Sequence, residues 1–277
     1  MTKRSSPDDS GCRKYQKAAL LFFVLLCSII TNINATIRYV KAGNPAPQPP
    51  YTSWATASDS IQKCVNVCQR GDTIYVGAGV YREFLQGIPP HIAIIGENME
   101  TTILDCQGMI RPQYLFHFAI DVSDSLSVSN FTLKGNATGE SDSLIQTAFG
   151  DTSFMVYASG VLISNCKLFN FGSGVYINKG IISDNIMLNV HTFLYTGFDS
   201  HGIDTIYFQN NLLVHPLYSM RHFINNGLFY PRFFFRNNIF TKPFVSSDFY
   251  NQLYTTALTI DPRVEFSNNL FYTKSYN

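Results

Sequence analysis

Between residues 128 and 272 the chain repeats one short pattern six times: an apolar stretch, a polar residue, an asparagine and a second apolar stretch. The copies read VSN-FTL, ISN-CKLF, SDN-IML, QNN-LLV, RNN-IF and SNN-LFY. Their asparagines are Asn130, Asn165, Asn185, Asn211, Asn238 and Asn269. Successive steps are 35, 20, 26, 27 and 31 residues, so the kernel is constant while the connections vary. A strand-only unit of this size buries little apolar surface alone and reaches a core only by stacking on its neighbours. Asparagine suits a corner because it tolerates left-handed backbone geometry. Stacked amide side chains also hydrogen-bond along the stacking axis. The pattern predicts an all-β chain, a single-domain right-handed parallel β-helix of about nine coils at roughly 25 residues each. The alternative is an antiparallel sandwich with asparagine-rich turns, for which a kernel repeated in one orientation is not required.

The residues before the repeat have a different composition. Lys3, Arg4, Arg13, Lys14 and Lys17 precede the apolar run AALLFFVLLCSII at 18–30, and TNINA ends at Ala35. This is the layout of a secretory signal cleaved after Ala35, and the run is short for a membrane span of about 20 residues. Asp8 and Asp9 in the basic stretch leave an uncleaved anchor as the alternative, with residues 18–30 as the only membrane contact. Removal of 1–35 leaves 15 basic and 17 acidic residues, a balance without the basic footprint of a nucleic-acid binder. The expected location is secreted or cell-surface.

From residue 36 the chain reads as one domain. IRYVKAG is a short strand and NPAPQPPYTSW a proline-rich loop. In TASDSIQKCVNVCQRGD, Ile61, Cys64, Val65 and Cys68 share one helical face. A helix over 58–70 is expected, capped by Ser58 or Ser60 and stopped by Gly71, with coils over 71–277. The four remaining cysteines, Cys64, Cys68, Cys106 and Cys166, read as buried free thiols, and none has zinc-ligand spacing with histidine. The chain stops directly after a kernel, at LFYTKSYN. The last coil is therefore covered by its own tail or a partner, or the sequence continues beyond this point.

The stretch TSWATASDSIQKCVNVCQRGDTIYVGAGVYRE resembles the N-terminal segment of right-handed parallel β-helix proteins of the pectin-lyase-like superfamily. There a Trp-bearing loop leads into a helix that covers the open end of the solenoid, followed by a Gly-Asp turn, a strand and a Gly-x-Tyr turn. The resemblance spans roughly residues 37–272 and implies the fold. It leaves function open, since lyases, hydrolases, epimerases and non-catalytic surface proteins share this segment.

Two functional classes follow. One is a polysaccharide lyase-like protein acting on or binding extracellular polysaccharide. The other is a non-catalytic solenoid used in adhesion or structure. β-Elimination needs a cation beside the uronate carboxylate and a base for the C5 proton. In the resembling lyases that cation is commonly Ca2+, which is implied here only if the chain is a lyase. The best constellation is FDSHGID, with Asp199, His201 and Asp204 as candidate catalytic residues; an unperturbed imidazole titrates in the range suited to proton transfer. Lys179, Arg221 and Tyr230 are candidate substrate contacts, and His191 and His222 lie on neighbouring coils. The same seven residues also read as a polar loop shaped by Asp and Gly. Asp121 with Asp124, and Glu140 with Asp142, are oxygen clusters that equally read as solvated turns. The phenylalanines of FINNGLFYPRFFF read as core, with Tyr230 and Tyr250 as sugar contacts.

Overall fold

The computed structural model describes residues 35–109, 117–122, 125–135, 153–157, 160–177, 179–196, 205–214, 218–222, 232–241 and 264–272. All of them belong to one compact unit, Ala35–Asn277. The leader, including the apolar run 18–30, lies outside the described residues.

Among the described residues every strand pairing is parallel, and the chain winds into a β-helix. The first face is a nine-stranded sheet whose strands are Ile37–Val40, Thr73–Val76, Ile92–Gly96, Ser125–Ser129, Gly160–Ser164, Lys179–Ser183, Thr205–Gln209, Arg232–Arg236 and Val264–Ser267. Its register carries one inward row up the solenoid: Ile74, Ile94, Val128, Ile163, Ile182, Phe208 and Phe235. All seven are buried. Full burial of such side chains contributes about 1.5–3 kcal/mol each. The period-two alternation of the strands keeps that row continuous.

The remaining strands form a 12-stranded sheet that folds into a second and a third face. Two long strands, Lys167–Tyr176 and Ile186–Thr196, run through the fold between them. Each turns at a left-handed asparagine, Asn170 at φ 56° and Asn189 at φ 52°, and the Asn189 amide donates to Asn170 Oδ1 at 3.3 Å. In the coil below, Gly135 takes the corner position, because a Cβ there would collide with the Asn170 carbonyl.

The corner between the first and second faces holds two parallel ladders. On the outside, Asn130, Asn165, Asp184, Asn210, Asn237 and Asn268 all sit at φ between 52° and 62°. There, Asn165 donates to Asn130 Oδ1 at 2.8 Å, Asn210 to Asp184 at 3.1 Å and Asn237 to Asn210 at 3.2 Å. Asp184 has no amide to donate, which interrupts this outer ladder.

One residue later, facing inward, Asn185, Asn211, Asn238 and Asn269 form a second ladder. The Asn211 side chain accepts from the backbone N–H and the amide of Asn185, both at 3.0 Å. It donates to the Ile182 carbonyl at 2.9 Å and to Asn238 Oδ1 at 3.1 Å. Asn238 repeats the pattern with Asn211, Phe208 and Asn269. Two accepted and two donated bonds satisfy an amide completely. That is why Asn211 and Asn238 are tolerated at 1% exposure or less; Asn185, equally buried, donates twice and accepts from the Cys166 N–H. The six sequence kernels therefore mix two structural positions. Asn130 and Asn165 are corner residues, whereas the other four belong to the inner ladder. By strand register the second step is 19 residues rather than 20, since Ser164 pairs with Ser183.

The N-terminal end is closed and begins earlier than expected. Ile37–Val40, and not Thr73–Val76, is the first rung, and its outer edge bonds to Tyr51 and Ser58. The helix is shorter than 58–70: it covers only Ile61–Val65, because the chain from Val67 makes tight turns that deliver Asp72 beneath the first rung. Ser60 caps the helix, accepting from the Lys63 N–H at 3.2 Å. Glu83 accepts from the N–H groups of Ile61 and Gln62 at 2.7 and 3.0 Å, occupying donors that a helix start leaves free. Arg38, at the inward position of the first rung, makes a buried pair with Asp72 at 2.9 Å. Burial opposes the Asp72 charge, but N–H bonds from Gln69 and Thr36 together with Arg38 outweigh it and hold the carboxyl below its usual range.

Asn211→Ala should cost about 2–4 kcal/mol, since it strands buried donors and acceptors above and below. Asn210→Ala, at an exposed corner, should cost about 1–2 kcal/mol of backbone strain. Urea unfolding midpoints order the two, and a larger loss at Asn210 contradicts the inner ladder. Asp72 contributes fully above its unfolded pKa of about 3.9, and that contribution is lost as pH falls through its lower folded value. The melting temperature of Asp72→Asn should therefore lie below wild type at neutral pH, with the gap narrowing below about pH 4.

Candidate functional site

The sequence-selected residues fall unevenly on the structure. Asp199, His201, Asp204, Tyr230, Tyr250, Asp124, Glu140 and Asp142 lie outside the described residues. The flanks of 197–204 are described. That segment leaves strand Ile186–Thr196 and joins strand Thr205–Gln209. Where it leaves, the backbone of Tyr195 pairs with Arg221 and that of Thr196 with His222. Where it joins, Gly180 pairs with Ile206, which sets Lys179 level with Thr205, and Thr205 pairs with Arg232 on the other side. Register thus brings the backbone positions of Lys179, Arg221, His222 and Arg232 to the corner between the third and first faces. His191 lies further back on its strand.

Lys179 is exposed, and its alkyl stem lies over Gly160, within 3.1 Å of where a Cβ would stand. It belongs to a wider group on the outer surface of the first face that sequence reasoning missed. Leu162, Ile181, Tyr207 and Phe234 stand in one outward row, in register across four coils. Tyr207 and Phe234 stack with centroids 5.0 Å apart and planes at 14°. The Arg236 guanidinium lies 4.8 Å from the Phe234 centroid and 5.7 Å from that of Tyr207, a cation–π arrangement contributing about 0.5–1 kcal/mol at an exposed site. Arg232 and Arg236 bracket Phe234 on its own strand and are both exposed. Among the described residues, Lys179, Arg232 and Arg236 enter none of the ion pairs.

The phenylalanines of RFFFR therefore divide. Phe233 and Phe235 are core, as expected, whereas Phe234 is outward and half-buried. Alternation in TIYFQ and RFFFR was the signal for this: it sends Tyr207 and Phe234 to one side with the flanking arginines. A second outward aromatic group lies near the N-terminal end, where Tyr39 meets Trp54 at 4.7 Å and Tyr75 at 6.2 Å. Among the described residues no three His, Cys, Asp or Glu side chains gather as a metal site.

Chemically, the row presents flat apolar ring faces beside the positive charges of Arg232 and Arg236. Such a surface has the chemistry to meet a ligand with both apolar faces and anionic groups. Comparison with protein-family profiles, with curated proteins and with solved structures returns no match to this chain.

Phe235→Ala should cost about 3–5 kcal/mol, as for a fully buried aromatic. Phe234→Ala should cost no more than about 1 kcal/mol, mostly the lost ring pair. Equal losses in thermal unfolding would show that the outward row is core.

Proposed function

We propose that this chain is a secreted or surface-displayed β-helix of the pectin-lyase-like kind that engages an acidic extracellular polysaccharide along its first face. The observation that carries this reading is the outward Tyr207–Phe234 stack with Arg236 over it and with Arg232 and Lys179 exposed beside it. Aromatic faces pack against the apolar faces of sugar rings, and guanidinium groups pair with carboxylates in two-point hydrogen bonds. Parallel rungs repeat about every 4.8 Å, so a linear polymer laid across several coils meets the same face repeatedly.

Catalysis is the finer form of the reading. Asp199, His201 and Asp204 are its candidate proton-transfer residues, with Lys179, Arg221 and Tyr230 as substrate contacts. They are supported by the register that sets Lys179 and Arg221 beside the two ends of 197–204. The alternative is a non-catalytic surface solenoid used in adhesion or structure, which would present the same face without turnover.

Polygalacturonate and a neutral glucan distinguish these outcomes when titrated against the protein at low ionic strength. The acidic polymer should bind and the neutral one bind weakly. Arg232→Ala with Arg236→Ala should weaken the acidic interaction by about tenfold or more, roughly 1.4 kcal/mol, while the lost cation–π contact lowers the melting temperature by no more than about 4 °C. Ultraviolet absorbance of unsaturated product, with and without Ca2+, separates a lyase from a binder. Equal affinity for both polymers, or no loss in the double variant, overturns the reading.

A further inference from the structure

The N-terminal end contains a second chemical group, separate from the outward aromatic and arginine row of the first face. Cys64 lies in the helix Ile61–Val65 with no exposed surface, while Cys68 follows four residues later and is partly exposed. Successive turn bonds, Val67 N–H to the Cys64 carbonyl at 3.1 Å and Cys68 N–H to the Val65 carbonyl at 3.0 Å, carry the chain round so that both thiols share one side. The Cys68 S–H donates to the Cys64 carbonyl at 3.2 Å. Beside both stands the buried Arg38–Asp72 pair.

We propose that Cys64 and Cys68 form a dithiol site for thiol–disulfide exchange, with Cys68 as the attacking thiol, Cys64 as the resolving thiol and a small-molecule disulfide as the co-reactant. The roles follow from access and charge. Cys68 is the thiol a reagent reaches. The neighbouring Cys64 thiol, and after it the Arg38 guanidinium, hold the Cys68 pKa below the ordinary thiol value against the effect of burial. Cys64 is pushed the other way, by Cys68 and by burial, and so stays a thiol until a mixed disulfide forms beside it.

The exchange balances in two steps. The Cys68 thiolate forms an S–S bond with one sulfur of the reagent, whose other sulfur leaves as a thiolate. Cys64 then loses its proton to solvent and attacks Cys68 Sγ, expelling the second reagent thiolate and leaving a Cys64–Cys68 disulfide. Two protein thiols are oxidised and one reagent disulfide is reduced to two thiols.

The other described cysteines lack this arrangement. Cys166 is fully buried at the foot of the inner ladder, and burial pushes its pKa up to about 12. Cys106 is buried, with its S–H donated to the Glu83 carbonyl at 3.4 Å.

The test uses the full chain, reduced and folded, with limiting 5,5′-dithiobis(2-nitrobenzoate), followed by alkylation, trypsin and mass spectrometry. Cleavage after Lys63 and Arg70 places both cysteines in one peptide, CVNVCQR. Two coloured thiolates should be released per site, and the peptide should carry neither reagent nor alkyl group and be lighter by two hydrogens. Cys64→Ser should stop at a mixed disulfide on Cys68, and Cys68→Ser should abolish reagent release from residue 64. The unsubstituted chain decides the matter even where a variant folds poorly. A persisting adduct on Cys68, first reaction at Cys64, or reaction at this peptide no faster than at Cys166 overturns the proposal.

Discussion

The inner amide ladder is the interaction on which the rest of the molecule depends. A β-helix must carry its backbone round a corner in every coil, and an inward corner side chain has no solvent to satisfy it. Asn185, Asn211 and Asn238 solve this by bonding to one another, to Asn269, to backbone carbonyls of the coil below and, at Asn185, to the Cys166 N–H. A buried polar network of this kind stabilises only when every member is paired. Once it is, each coil holds the corner of the next in fixed register. That register aligns the phenylalanine rows inside and the aromatic and arginine row outside.

The ladder also has a foot. Below Asn185 the same position is Cys166, which donates its S–H to the Ser164 carbonyl while its N–H still bonds to Asn185 Oδ1 at 2.9 Å. Below that comes Phe131, buried and apolar. The lower coils therefore hold their corners by packing and by close backbone approach: Gly96 sits where a Cβ would strike the Asn130 carbonyl. At the N-terminal end the logic changes to charge, with Arg38 and Asp72 paired inside and Glu83 holding the helix start. Two kinds of closure thus meet in one solenoid, an ionic plug at its start and an amide column through its later coils.

Much of this was legible from the residues. Recurrence of the kernel required stacking and so the parallel fold, whereas the inward rows follow from the alternation within TIYV, GVLIS and TIYFQ, which was present in the residues but not read from them. The offset within the kernel was not legible, because in QNN, RNN and SNN nothing local says which asparagine takes positive φ. Nor was the passage of KLFNFGSGVY through a corner at Asn170, since a single left-handed residue leaves the strand pattern on both sides intact. The helix read long because Cys68 keeps helical spacing from Cys64 while lying in a turn. For the site, acidic clusters drew attention and the arginines of RFFFR did not. Their partnership with Tyr207 depends on register across 27 residues, which one sequence does not display.

The proposed binding face is a row that the fixed register repeats outward, so it depends on the ladder that sets that register. Backbone amide hydrogen exchange of Asn185, Asn211 and Asn238, read residue by residue, tests the ladder most directly. Each of these N–H groups donates to the next asparagine's Oδ1, and the ladder predicts that all three exchange only with opening of the coils, among the slowest amides of the chain. Exchange as fast as that of an exposed turn amide such as Glu100 would contradict it.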